Sequence, residues 1–137
     1  MKRLLVVLWL ACNVPAALAC GYCVEDKIAG VYDHAMVKKA IDGKHLVVFF
    51  AIDGRLRPGE PMRRRIATIA QSVPGIDRDS VRVSMELGAL AIAFDPRRTN
   101  LGVVQNVLER RLAAMDLSLL TLRVMDRPGD LAAVHRR

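Results

Sequence analysis

Two cysteines three residues apart, Cys20 and Cys23 in "ALACGYCVEDK", are the residues whose types and spacing could do chemistry. At a helix start both sulfurs can face one point. The partial positive charge and free N–H groups of that end favour the thiolate form. Gly21 lets the backbone turn tightly between them. Soft thiolates select Cu(I), with Zn(II) second and only if more ligands join. A two-thiolate metal site at Cys20 and Cys23 is therefore one expectation, with the ion passed to a metal-exchanging partner that adds its own thiols. Three other chemistries use the same residues. One is a Cys20–Cys23 disulfide, structural or idle. The second is a redox pair, which fits less well because thioredoxin-like enzymes place such a pair after a strand. The third is lipidation of Cys20, because "ALAC" is similar to a lipoprotein cleavage box. Ala17 stands there where a large aliphatic residue is usual, and Leu18 where a small one is. Lipidation would consume one thiol and destroy the clip.

The residues before the pair predict export. Met1-Lys2-Arg3 is a short basic start, and Leu4 to Cys12 is an apolar run interrupted by Asn13 and Pro15. The run stops short of the ~20 residues that span a bilayer. Small residues at 17 and 19 then fit a signal peptide, residues 1–19, cleaved before Cys20. The alternative is an N-terminal membrane helix that stays attached. The expected location is the periplasm or the extracellular space, or the membrane surface if Cys20 is lipidated. Cleavage leaves 118 of 137 residues and, with Lys2 and Arg3 gone, lowers the net charge from +7 to +5. That length suffices for one domain with a core. Cys12 leaves with the signal, and an oxidising compartment keeps a disulfide open. Nucleic acid fits poorly as a partner, because aromatics are only 4% of the chain and its arginines are scattered. The excess charge reads as solvated surface with a weak attraction to anionic head groups. The one tight run, Arg63-Arg64-Arg65, spreads around a helix.

Periodicity predicts the elements. Val24, Ile28, Val31 and Ala35 step by four, three and four, a helical stripe from Val24 to about Asp42 that Gly43 stops. His45 to Ile52 is a continuous apolar run, a strand buried on both faces, ending at Asp53-Gly54. Asp53 to Glu60 is a loop. Pro61 opens a helix carrying Met62, Ile66, Ile69, Ala70 and Val73, ended by Pro74-Gly75. Val81, Val83, Met85 and Leu87 alternate with polar residues in a strand with one wet face. Leu90, Ile92 and Phe94 alternate with Ala89, Ala91 and Ala93 in a third strand. Thr99 or Asn100 caps a helix buried through Leu101, Val104, Leu108, Arg111 and Leu112. Leu120, Leu122 and Val124 form a fourth strand, followed by a loose basic tail, residues 127–137. The fold class is α+β: a ferredoxin-like βαββαβ sandwich over residues 44–126, preceded by a Cys-x-x-Cys and helix segment, residues 20–43, that covers the sheet.

Here a family resemblance enters. The stretch "IATIAQSVPGIDRDSVRVSMELGALAIAFDPRRTNLGVVQNVLERR" resembles the heavy-metal-associated domain of copper chaperones and metal-transporting ATPases. The similar features are the helix ending at Val73-Pro74-Gly75-Ile76, a Val-x-Val strand, a hairpin, and "FDPRRTN" opening the second helix. The resemblance implies a ferredoxin-like fold and, in the family, a metal site. That family places Met-x-Cys-x-x-Cys between its first strand and first helix. The corresponding loop here, Asp53 to Glu60, contains no sulfur. Met62 follows on the helix, and no ligand position carries over.

Geometry predicts that the displaced pair returns to the usual place. A helix of ~18 residues is about 27 Å long, and a strand of ~nine residues is about 30 Å long. The short Gly43-Lys44 connection packs them antiparallel. The helix start then lies beside the strand end, where the Asp53–Glu60 loop opens. His34, about 16 Å along the helix from Cys23, cannot share a site with it. His45, at the far end of the strand, reads as structural or solvated, and His135 lies in the tail. Glu25, Asp26 and Asp33 read as ordinary first-turn and surface acids. No Ser-His-Asp set, carboxylate pair or phosphate loop stands out, so no enzyme is expected. The expected function is a small exported metal-binding protein, a Cu(I) carrier or buffer acting through Cys20 and Cys23. The alternative is a non-metal adaptor or assembly domain with a disulfide staple.

Overall fold

The computed structural model describes residues 18–130, with side chains from Val24 onward. Two helices, α1 (Leu18–Val31) and α2 (His34–Asp42), precede strand β1 (Leu46–Gly54). Helix α3 (Glu60–Gln71) follows, then a 3-10 turn (Arg78–Ser80), strands β2 (Arg82–Ser84) and β3 (Ala89–Phe94), helix α4 (Leu101–Ala113) and strand β4 (Leu117–Met125). The sheet order is β2-β3-β1-β4, antiparallel throughout. This is an α+β arrangement compatible with the ferredoxin-like fold, and the sheet is covered on both faces.

Strand β1 explains why. Every residue from Val47 to Ile52 is buried. Val48, Phe50 and Ile52 join Leu90, Ile92 and Phe94 in a core closed by Ile66 and Ala70 of α3 and Val104, Leu108 and Leu112 of α4. Val47 and Phe49 face the other way. They join Ala89, Ala91 and Ala93 in a second core closed by Ile28 and Val31 of α1 and Met36, Val37, Ala40 and Ile41 of α2. The alanine row keeps that side of β3 shallow, which lets the two helices lie close to the sheet. The N-terminal segment thus covers the sheet, as its otherwise unpartnered apolar face requires.

The expected single helix over 24–42 is two. Tyr32 and Asp33 break it, and the Asp33 side chain caps α2 by accepting from the Met36 N–H at 3.0 Å. The apolar phase shifts at the break: Met36 and Val37 are buried, and Ala35 is exposed. Asp33 also accepts from Arg82 Nε at 3.2 Å and Nη2 at 2.9 Å, tying the break to the start of β2. An Asp33→Ala variant should lose about 1 kcal/mol of stability, in line with other lost caps. A urea midpoint measurement checks this, and an unchanged midpoint would make the break independent of its cap.

Two strands differ from expectation. Strand β2 ends at Ser84 because Met85–Gly88 forms the turn into β3. Strand β4 starts earlier, at Leu117, whose side chain is buried with that of Leu119 in the first core. Leu120 and Val124 are exposed, and a register shift opposite Phe49/Phe50 leaves Leu122 as the extra residue of a bulge. Arg111 lies exposed instead of covering the α4 face. The cap of α4 is Asn100, which accepts from Val103 N–H at 3.0 Å. The signal-peptide reading, except for its last two residues, and most of the basic tail fall outside the described residues.

Three carboxyl groups are held below their ordinary range. The Met36 N–H and Arg82 hold Asp33 down, the Arg97 guanidinium holds Asp95 down, and Arg63 and then Arg64 bring Glu60 from 4.5 to about 2. Folded values below unfolded ones mean that this stabilisation is complete above about pH 5 and fades as pH falls toward about 2. Thermal midpoints should therefore hold steady above that pH and decline below it. A midpoint that rises on acidification would contradict these contacts.

Candidate functional site at the amino end of α1

Strand β1 delivers the chain to a loop at one end of the sheet. Gly54, at φ 118°, sits so close to the Asp116 carbonyl that a Cβ there would lie 2.1 Å from its oxygen, which fixes glycine at this position. Residues 55–59 follow, and Glu60 opens α3 with ion pairs to Arg63 at 2.6 Å and Arg64 at 2.9 Å. This is the loop where the resembled family holds metal, and it offers no sulfur.

Helix α1 arrives at the same end. Lys27 Nζ donates to the Leu87 carbonyl at 2.7 Å and the Gly88 carbonyl at 3.2 Å. The Gly88 carbonyl also accepts from the Ile52 N–H at 2.8 Å, so Lys27 sits beside the last residues of β1. A Cβ at Gly88 would meet Leu56 Cδ2 and Lys27 Nζ at 3.5 Å each, which places the loop and the helix on the same glycine. Glu25 receives Arg123 Nη2 at 2.5 Å and joins α1 to β4. Tyr32 stacks on Phe49 at 6.3 Å between ring centroids, at the other end of the helix. Burial raises the Tyr32 hydroxyl above its ordinary pKa.

Cys20 and Cys23 lie within α1, ahead of Lys27. At about 1.5 Å per residue, Cys23 is about 6 Å and Cys20 about 10 Å along the axis toward the amino end. Positions 20, 23 and 27 follow the three- and four-residue steps of one helix face. The side chains of both cysteines and of Tyr22 fall outside the described ones. Lys27 carries no motif that would single it out; only its place four residues after Cys23 could have pointed to it.

The histidines lie elsewhere. His34 begins α2, with its Nδ1 3.3 Å from the Tyr32 hydroxyl. His45 precedes β1 at the opposite end of the sheet, its Nδ1 2.6 Å from Asp77 Oδ2 and its Nε2 4.0 Å from Asp95 Oδ2. Asp95 is in turn engaged by Arg97 at 3.0 Å. Among the described residues no group of three or more His, Cys, Asp or Glu is placed to hold a metal ion. No helix among them is long and apolar enough to cross a membrane. Compared with known proteins, the chain matches no family model, and no curated protein matches it.

Proposed function

We propose that this protein is a small exported Cu(I) carrier or buffer that holds its ion between Cys20 and Cys23. The observation carrying the reading is the anchoring of Lys27 beside Gly88, which sets the amino half of α1 at the loop end of the sheet. A Cys-x-x-Cys on that half of the helix shares its end of the sheet with the loop that corresponds to the resembled family's metal loop, which supports the reading. Ligand chemistry agrees, since two thiolates are the donor set that soft Cu(I) prefers.

The cargo is exchanged rather than resident. Two sulfur ligands leave Cu(I) open to attack by the thiols of an acceptor, so transfer can pass through a three-sulfur intermediate without release of free ion. Titrating the reduced protein into a coloured Cu(I)–chelator complex tests the proposal. Removal of one equivalent of ion is expected, and no removal would contradict the reading. The adaptor alternative would be supported instead by recovery of the protein with Cys20 and Cys23 disulfide-bonded, inert to alkylation and unresponsive to the ion.

A further inference from the structure

A cavity of about 580 Å³ opens between α2 and the segment from Asp77 to Arg82, at the opposite end of the sheet from the cysteines. Its size falls in the range of small-molecule sites. Ala35, Met36 and Ala40 of α2 give it an apolar wall. The charges around it are unevenly engaged. Asp33 is engaged by Arg82 at 2.9 Å, and Asp77 by His45 at 2.6 Å. Lys39 on α2 and Arg78 across the cavity are both exposed, and neither forms an ion pair among the described residues. Asp79 is the remaining acid of the lining, so two open cations face one open carboxylate.

We infer that this cavity binds a small amphiphilic anion, its apolar body against Ala35, Met36 and Ala40 and its anionic head between Lys39 and Arg78. The match is one of shape and sign. An apolar wall beside unengaged cations suits a ligand with both parts, and neither a bare anion nor a neutral hydrocarbon uses both. The site is independent of the cysteines and does not depend on the metal reading.

Decanoate, kept below its micelle-forming concentration, is the probe, added to isotopically labelled protein and followed by amide NMR shifts. Saturable shifts confined to residues 34–42 and 77–82 are expected. Acetate and decanol should each bind more weakly than decanoate. A Lys39→Glu, Arg78→Glu variant should weaken binding roughly tenfold, and the milder Lys39→Gln, Arg78→Gln variant should weaken it less. The cysteine-to-serine protein should bind decanoate like the parent. Absence of saturation, shifts centred on the exposed Leu120 and Val124, or equal binding by the charge variants would each overturn the inference.

Discussion

A Cys20→Ser, Cys23→Ser variant is expected to lose Cu(I) affinity by more than about a hundredfold, with its fold unchanged. Changes in the groups that merely orient metal ligands cost about 10–100-fold, and removing both soft donors must exceed that. Hydroxyl groups are hard donors with little affinity for Cu(I). The described packing of α1 rests on Ile28 and Val31, which the substitutions leave in place, so the melting point should stay put. Competition against a chelator measures the affinity, and circular dichroism checks the fold. Full affinity in the double variant would remove the cysteines from the metal account. Single variants should fall between the two, because one thiolate retains part of the donor set.

Phe49→Ala should destabilise the protein by about 3–5 kcal/mol, as truncations of buried aromatic residues do. Phe49 is fully buried in the core between the sheet and the two N-terminal helices, and Tyr32 stacks on it. The surrounding alanines of β3 have no side-chain length with which to fill the space. Against the ~5–15 kcal/mol total of an ordinary domain this is a large share. A Val103→Ala change on the exposed face of α4 serves as control and should stay within about 0.5 kcal/mol. A Phe49→Ala cost as small as the control's would mean that α1 and α2 add little to the fold. The positioning of the cysteines through α1 would then lose its support.

Much of this architecture was legible because particular strands admit only one environment. The run from Val47 to Ile52 contains no polar residue, so it demands cover on both faces, and the helices before it provide the second cover. Ala89, Ala91 and Ala93 mark the side where helices approach closely. The break at Tyr32–Asp33 was harder to read because Val24, Ile28, Val31 and Ala35 keep helical spacing straight across it. The local signal was Asp33, an acceptor three residues before Met36, which is ordinary N-cap spacing. Strand β4 misled through its bulge, since one extra residue reverses which side chains face inward, and alternation alone cannot register that. The candidate site was legible as chemistry in the two cysteines. Its location hangs on Lys27, whose two hydrogen bonds to turn carbonyls need a three-dimensional neighbour that no sequence pattern announces.

X-ray absorption at the copper edge of the Cu(I)-loaded, reduced protein tests the central claim most directly. Two sulfur neighbours at equal distance, lost in the Cys20→Ser, Cys23→Ser variant, are the predicted result. A shell of nitrogen or oxygen neighbours, or the same sulfur shell in the serine variant, would contradict it.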